Sequence, residues 1–204
     1  MSPAMTTHQD SPLNRRAVVA RILQKRGDAL LVASLGNATY DAAAVADDAR
    51  NFYVWGAMGG ACMVALGLAL AQPSRRVLAF AGDGEMMMGI GSFATIAVTR
   101  PANLKIIVID NEHYGETGMQ PAHSGRGVDL AGIARASGFP LAYTIRTAAE
   151  LEQHADALCM RDGLECAVVK VAATPEPTSL PPRDGAYLRS RFRDAVLGAG
   201  RGGH

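Results

Sequence analysis

The polar residues best suited to bind a ligand or take part in chemistry lie where two apolar runs end. Asp83 lies between Gly82 and Gly84 in "AFAGDGEMMMG", and Asn111 closes the run "KIIVIDN" further along the chain. The 26 residues that separate Gly84 from Asn111 fit one crossover helix plus one strand, so the two strand ends can lie side by side. A carboxylate and a carboxamide placed in this way could face one hard cation.

The glycines beside Asp83 indicate a ligand that approaches the backbone. Gly82 and Gly84 carry no side chains, and the free N–H groups that open the following helix would suit a phosphate. With a loop carbonyl and two phosphate oxygens, Asp83 and Asn111 make a good octahedral oxygen set for magnesium, which keeps few protein ligands. For the G-D-G motif alone, an ordinary strand-to-helix turn with Asp83 as N-cap is an equally good interpretation.

The elements that must position these residues predict an α/β fold. Apolar or β-branched runs predict strands at 29–34, 77–81, 105–110 and 166–171, and helical periodicity predicts helices at 14–26, 58–71, 87–99, 130–136 and 148–158. Continuous apolar strands that alternate with helices are typical of a parallel sheet with helices on both faces. In such a sheet, ligands bind beyond the carboxyl ends of the strands.

Length and composition predict one domain with two tails. The chain has 204 residues, enough for one domain with a sizeable core, which we place at residues 13–172. The polar residues 1–12 have the composition of a disordered tail. Residues 173–204 are predicted to form an extended, proline-rich strap and a glycine-rich tail.

Charge and cysteine usage exclude several classes of function. The formal net charge is +1, which gives no electrostatic footprint for nucleic acid or an anionic membrane. The longest apolar stretch, 56–71, is too short and glycine-rich to span a bilayer, and the N-terminus lacks a hydrophobic signal region, so we expect a cytoplasmic protein. The three cysteines are isolated, without a C-x-x-C pair for zinc or an iron–sulfur cluster, and are expected to be buried.

The two motifs and their spacing resemble the thiamine diphosphate enzymes, whose signature is G-D-G followed, after one helix and one strand, by Asn. The segment "GDGEMMMGIGSFATIAVTRPANLKIIVIDN" reproduces this signature. Upstream, "YVWGAMGGACMVALGLALA" at residues 53–71 is similar to the W-G-S-[IM]-G segment of the decarboxylase branch. The resemblance covers roughly residues 50–171 and implies thiamine diphosphate and Mg²⁺ as cofactors.

The resemblance also implies roles for individual residues. The side chains of Asp83 and Asn111 and the backbone carbonyl of His113 would bind the metal. Gly84 and Glu85 would donate backbone N–H groups to the diphosphate. The complete implied cofactor-binding set is Gly56, Ala57, Met58, Gly82, Asp83, Gly84, Glu85, Asn111, His113, Tyr114 and Gly115.

Two residues of "WGAMGG" would act on the cofactor rings and are the catalytic residues that the resemblance implies. Gly56 would accept a hydrogen bond from the 4′-amino group, and Met58 would wedge between the two rings and keep the cofactor bent. Without the surrounding motif, core packing would be the favoured interpretation of Met58. The methionines at 86–88 are expected in the core, because they would open a buried crossover helix.

Two other patterns carry less information. "GIGSFA" at residues 89–94 matches half of a dinucleotide fingerprint, but it lies inside the crossover helix and not directly after a strand, so it indicates close helix packing and no NAD site. His123 lies in the loop "QPAHSG", where it either faces the substrate or is solvated.

The resemblance predicts a split enzyme. The family activates its cofactor with a glutamate that hydrogen-bonds the aminopyrimidine N1′, and this glutamate belongs to a separate pyrimidine-binding domain. Only 55 residues precede Gly56, too few to build that domain. We therefore expect a hetero-oligomer in which a separate pyrimidine-binding subunit supplies the glutamate.

Among split enzymes, the chain looks most like the β subunit of sulfopyruvate decarboxylase and the matching half of phosphonopyruvate decarboxylase. This similarity implies non-oxidative decarboxylation of a small 2-oxo acid to an aldehyde. The usual D-N-x-x-x-x-S-T-G reads "DNEHYGETG" here, with Glu116 in place of serine. A carboxylate close to a sulfonate or phosphonate would repel it, so either Glu116 points away or the substrate differs.

Three alternatives stay open. A carboligase of the acetolactate synthase type would use the same residues, and only its products would distinguish it. A 2-oxo acid oxidoreductase β subunit shares the fold but usually carries cysteines for an iron–sulfur cluster. A non-catalytic binding subunit would have no need of the Asp83 and Asn111 pair.

Overall fold

The structure is a computed structural model, and it describes residues 12–198. The strands are β1 (Leu30–Ser34), β2 (Asn51–Val54), β3 (Val77–Gly82), β4 (Leu104–Asp110), β5 (His113–Tyr114), β6 (Gln120–Pro121), β7 (Ala142–Ile145) and β8 (Glu165–Lys170). The helices are α1 (Arg15–Leu23), α2 (Asn37–Val45), α3 (Ala61–Ala71), α4 (Asp83–Met88), α5 (Ser92–Thr99), α6 (Leu130–Ala136), α7 (Ala148–Met160) and α8 (Gly185–Leu197).

Six strands form one parallel sheet in the order β2-β1-β3-β4-β8-β7. Strands β1, β3, β4 and β8 are apolar along nearly their whole length, because helices cover both faces of the sheet. The parallel α/β fold predicted from the sequence is therefore confirmed. Strands β5 and β6 pair separately as a short antiparallel hairpin.

Two apolar layers hold the helices to the sheet. On one face α3, α5 and α6 pack against alternate strand residues such as Val32, Ala79 and Val108. On the other face α1, α2 and α7 pack against the intervening residues, such as Leu31 and Phe80. Because successive strand residues point to opposite faces, each central strand contributes to both layers. The three cysteines are buried and free, as predicted.

The crossover between β3 and β4 differs from the prediction. The helix expected at 87–99 is two helices, α4 and α5, which meet at 89–91. Gly89 packs against the loop before α3, and a Cβ on Gly89 would lie 2.3 Å from the carbonyl oxygen of Gly59. This backbone contact occupies the place where a continuous helix would carry side chains. The helix predicted from residue 58 begins at Ala61, because residues 55–60 form a turn with Gly56 and Gly59 at positive φ.

Residues 171–184, which include the start of the predicted proline-rich strap, carry no helix or strand. The strap is held by hydrogen bonds from Ala172 N to Leu13 O and from Trp55 Nε1 to Pro182 O. It leads into α8, which the sequence analysis did not predict and which packs Phe192 on Phe52 of β2. Residues 1–11 and 199–204, which contain nearly all of the two predicted tails, lie outside the described residues. No helix in the described part of the chain is long and apolar enough to cross a membrane.

Candidate functional site

The carboxyl ends of β3 and β4 bring the two sequence motifs together. In the parallel register Gly82 stands opposite Ile109, so the residues that follow each strand, Asp83 and Asn111, lie at the same edge of the sheet. Both are buried, with 2% and 6% of their surface exposed. The spacing in the sequence predicts this arrangement, which the continuous hydrogen bonding of β3 to β4 maintains.

Asp83 lies close to a second carboxylate, that of Asp110, so this part of the site carries excess negative charge. The hydroxyl Oγ of Ser124 lies 2.8 Å from Oδ2 of Asp83 and 2.8 Å from Oδ1 of Asp110. A hydroxyl has one proton to donate, so it cannot satisfy two ionised carboxylates at once. Burial, reinforced by the charge of Asp110, raises the pKa of Asp83 to about 6. A cation bound at Asp83 would relieve this electrostatic strain.

Asp110 contacts both a lysine and the loop after β4. Lys170 Nζ lies 2.7 Å from Asp110 Oδ2 and 2.7 Å from Glu112 Oε1, and the backbone N–H of Glu112 donates to Asp110 Oδ1 over 3.0 Å. The sequence analysis missed Ser124, Asp110 and Lys170 as members of the site. Only Asp110 had a signal, since it directly precedes Asn111.

The loop after β4 fixes the direction of the Asn111 side chain. The N–H of His113 donates to Asn111 Oδ1 over 3.1 Å, and His113 Nδ1 lies 2.9 Å from the Asn111 carbonyl oxygen. Glu112 has a φ of 64°, in the left-handed region that non-glycine residues seldom adopt. The imidazole of His113 thus turns back onto its own loop.

A cavity of about 100 Å³ opens beside these residues. Nine of the eleven predicted cofactor-binding residues line it, namely Met58, Gly82, Asp83, Gly84, Glu85, Asn111, His113, Tyr114 and Gly115. Gly56 and Ala57 belong to the same turn as Met58 but lie outside the lining.

The first turn of α2 also lines the cavity, which the sequence analysis did not predict. Gly36, Asn37 and Ala38 face it, and α2 begins at Asn37 with no side chain capping its N-terminus. The start of α4 at Asp83 likewise lacks a side-chain cap. Uncapped N–H groups and the helix dipole together favour an anion. The available signal was the glycine of "SLGNATY", which follows an apolar run as Gly82 does.

The carboxylate of Glu85 holds the loop that carries Met58. Its Oε1 accepts hydrogen bonds from Gly59 N at 3.1 Å and from Ala61 N at 3.4 Å. Burial raises the pKa of Glu85 to about 7. The sequence analysis considered only the backbone N–H of Glu85. The side chain adds a link between the start of α4 and the turn at 55–60.

The methionines near the site divide between core and surface. Met58 is 40% exposed at the cavity, so it does not serve as an ordinary core residue. Met86 is buried in the core as expected, whereas Met88 is 64% exposed. The expectation that residues 86–88 all lie in the core is wrong for Met88, because α4 turns only one face towards the protein interior.

Tyr114 packs directly on the G-D-G motif. A Cβ on Gly84 would lie 2.3 Å from Cε1 of the Tyr114 ring, so only glycine allows this approach. The Tyr114 hydroxyl lies 3.3 Å from Nδ1 of His123. His123 itself is exposed and does not line the cavity.

The donor atoms suit magnesium together with a diphosphate. Within the described ranges, no group of three or more His, Cys, Asp or Glu side chains could hold a metal by themselves. One carboxylate, one carboxamide and loop carbonyls are hard oxygen ligands, and magnesium typically completes such a set with phosphate oxygens. The two uncapped helix starts lie on the same cavity, where a diphosphate would reach both.

Comparisons with known proteins agree with this geometry. Residues 34–171 match the family model described as the C-terminal TPP binding domain of thiamine pyrophosphate enzymes. Sulfopyruvate decarboxylase subunit beta of Methanocaldococcus jannaschii is 31% identical over 88% of this chain and 95% of its own length. The protein of the same name from Methanothermobacter thermautotrophicus is 35% identical over 92% and 97%.

Larger proteins share only part of their length with this chain. Phosphonopyruvate decarboxylase of Streptomyces hygroscopicus is 37% identical over 67% of this chain but 34% of its own length. The structure of 4-hydroxybenzoylformate decarboxylase from Rhodococcus jostii RHA1 superimposes with a TM-score of 0.68 at 18% identity, over 86% of this chain and 36% of that chain. At that identity the superposition establishes the fold alone.

The match over most of the chain, on a sheet whose strand ends carry the G-D-G and Asn motifs, assigns the family: the chain belongs to the thiamine pyrophosphate enzymes, in the group that contains the sulfopyruvate decarboxylase β subunits.

Proposed function

We propose that this chain is the thiamine diphosphate- and Mg²⁺-binding subunit of a split 2-oxo acid decarboxylase. The observation that carries the proposal is the shared cavity, where Asp83, Asn111 and Met58 meet at one edge of the sheet. The β subunits named above match this chain over nearly their whole length, which supports a subunit of the same kind. A small 2-oxo acid is the proposed substrate.

Three residues would bind the metal. Asp83 and Asn111 would use their side-chain oxygens, and His113 its backbone carbonyl. The pKa of Asp83, raised to about 6 by burial and by Asp110, leaves its carboxylate available to a cation at neutral pH. The N–H groups at the starts of α2 and α4, including those of Gly84 and Glu85, would bind the diphosphate.

The turn at 55–60 would orient the cofactor rings. Gly56 would accept from the 4′-amino group, and the exposed side chain of Met58 would support the bent conformation. Glu85 would keep this turn in place through Gly59 and Ala61. When bound, the cofactor supplies the electron sink that accepts the electron pair left by the departing carbon dioxide.

The overall reaction balances simply. A 2-oxo acid loses its carboxylate as carbon dioxide and gains a proton at the former keto carbon, which gives an aldehyde. This chain would hold the metal, the diphosphate and the rings. We assign the glutamate that activates the cofactor to a separate pyrimidine-binding subunit, so the catalytic unit is a hetero-oligomer.

Exposed apolar side chains on α3 and α4 support such a partner. Helix α3 has no charged residue in "ACMVALGLALA", and its Met63, Val64 and Leu70 are exposed. Met88 is exposed on α4, which packs against the turn before α3 through Gly59 and Gly89. Exposed apolar side chains of this size are candidates for an interaction surface. The proposed second subunit would cover this surface and close the cavity.

One experiment tests the proposal. The chain is purified with the polypeptide that its gene neighbourhood encodes, loaded with thiamine diphosphate and Mg²⁺, and screened with 2-oxo acids for carbon dioxide release. Aldehyde as the organic product supports a decarboxylase, and an acetohydroxy acid indicates the carboligase alternative. Failure to release carbon dioxide from any 2-oxo acid would refute the proposal.

A binding experiment tests the site itself. Asp83→Ala should abolish Mg²⁺-dependent binding of thiamine diphosphate in calorimetry, while circular dichroism shows that the fold is intact. Unchanged affinity in this variant would refute the metal assignment.

A further inference from the structure

The carboxylate of Glu116 faces the cavity. Glu116 follows the β5 strand and lines the cavity together with Asn37 and Met58. Of the two possibilities that the sequence leaves open, that Glu116 points away or that the substrate differs, its place in the cavity lining favours the second.

Two neighbours hold Glu116 in this position. The Tyr40 hydroxyl donates a hydrogen bond to Glu116 Oε2 over 3.1 Å. Burial, together with the charge of Glu116, raises the pKa of Tyr40, so its hydroxyl stays a donor. Gly36 leaves the space for Glu116: a Cβ there would lie 3.0 Å from Glu116 Cγ, and its φ of 75° disfavours other residues. Tyr40 and Gly36 therefore position the Glu116 carboxylate.

The described lining of the cavity holds no arginine or lysine that is free of an ion pair. Among its described lining residues, Arg15 is the one arginine or lysine, and its guanidinium is buried in an ion pair with Asp41. Arg183 lies outside the lining and stacks over the Trp55 ring, 5.1 Å from its centroid. Of the other lining carboxylates, Glu85 accepts hydrogen bonds from the turn at 55–60 through Oε1, while its Oε2 is buried without a partner, and Asp83 is assigned to the proposed metal. Glu116 remains as the carboxylate that a substrate would meet.

We propose that Glu116 determines substrate specificity: it disfavours 2-oxo acids that carry a second negative group and favours those with an uncharged, hydrogen-bond-donating tail. This inference rests on the proposed decarboxylase function and narrows its substrate class. A sulfonate or phosphonate would approach the Glu116 carboxylate with no unpaired arginine or lysine in the described cavity lining to compensate the repulsion. A hydroxyl on the tail would instead donate to Glu116.

The test compares two substrates with the same carbon skeleton, hydroxypyruvate and sulfopyruvate. The loaded complex of this chain with its co-purified partner is assayed for kcat/KM by carbon dioxide release. We expect the wild type to prefer hydroxypyruvate by about tenfold or more. Glu116→Gln and Glu116→Ser should each narrow that preference by about tenfold. Glu152→Gln removes the same charge from the surface of α7 and should leave the preference for hydroxypyruvate unchanged.

Calorimetry on the same complexes without thiamine diphosphate, in which no turnover occurs, gives a second readout. Glu116→Gln should tighten sulfopyruvate binding relative to hydroxypyruvate. If no 2-oxo acid is decarboxylated, the proposed function falls, and this binding comparison still tests Glu116. A wild-type preference for sulfopyruvate, or affinities and rates for the pair that neither Glu116 variant shifts, would overturn the inference.

Discussion

Asp83 is best understood through the groups behind it. Ser124 bridges Asp83 and Asp110, and Lys170 neutralises Asp110 from the other side. The cluster therefore keeps one carboxylate paired with a lysine and leaves the other, Asp83, for a cation. Such a buried network leaves the site electrostatically incomplete without a cation, which fits a residue that binds a metal.

This environment predicts how Mg²⁺-dependent binding of thiamine diphosphate depends on pH. Protons compete with the metal for Asp83, whose pKa is raised to about 6 by burial and Asp110. Affinity should be constant above about pH 7 and fall below pH 6, by at most about tenfold per pH unit. Calorimetry between pH 5 and 8 measures this. Asp83→Asn cannot titrate and is the control, and a wild-type affinity that is flat across this range would contradict the assignment.

Ser124→Ala should weaken the same binding without unfolding the protein. The variant removes the hydroxyl between two buried carboxylates, a loss of about 1–2 kcal/mol, or roughly tenfold in affinity. Ser124→Thr keeps the hydroxyl and should retain most of the affinity. Equal affinities of the alanine variant and the wild type in calorimetry would show that Ser124 does not orient Asp83.

At the scale of elements, α4 joins the two ends of the proposed cofactor site. Its first residue is the proposed metal ligand Asp83. Its third residue, Glu85, holds the Met58 turn by hydrogen bonds, and Gly89 after its end packs on Gly59. A displacement of α4 would therefore disturb the metal end and the ring end together.

Glu85→Ala should loosen the turn at 55–60 while the backbone N–H of residue 85 stays available. Amide hydrogen exchange at Gly59 and Ala61 should accelerate, and the fluorescence of Trp55, the sole tryptophan, should report the change next to Gly56. The loss of two hydrogen bonds should cost about 1–3 kcal/mol of unfolding free energy. Glu85→Gln retains an acceptor oxygen and should show slower exchange than the alanine variant. Exchange that is identical in all three proteins would refute this role.

The central elements could be predicted from the sequence, and the peripheral ones could not. Strands β1, β3, β4 and β8 are continuous apolar runs because both of their faces are covered. The missed strands β2 and β7 are the two edges of the sheet, where residues such as Phe52 and Thr144 are half-buried and the pattern is weaker. The interruption between α4 and α5 at 89–91 could not be predicted, because it is caused by a contact with Gly59, which is distant in the sequence.

The site likewise contains residues that the sequence predicts and residues that only the fold brings together. Asp83 and Asn111 could be predicted because each directly follows a strand and the interval between them fits one crossover. Ser124 lies 41 residues after Asp83, and only the folding of the loop after β6 brings it to the two carboxylates. Helix α2 reaches the site because β1, the strand before it, lies next to β3. The order of the elements along the sequence does not reveal that pairing.

At the scale of the molecule, the described residues form a site that is open on one side. The cavity of about 100 Å³ is open to solvent. Exposed apolar side chains, Met63 on α3 and Met88 on α4, lie on the two helices that contact the turn at 55–60. Both features agree with the proposal that a second polypeptide covers this face, completes the cavity and supplies the activating glutamate.

The most direct test measures carbon dioxide release by the purified chain alone and by the chain reconstituted with its partner polypeptide, each with thiamine diphosphate and Mg²⁺. We predict no enzymic turnover of any 2-oxo acid by the chain alone, and turnover of about one per second or faster by the complex. Asp83→Ala in the complex should remove that activity. Decarboxylation at such a rate by the single chain, with no second polypeptide present, would contradict the account.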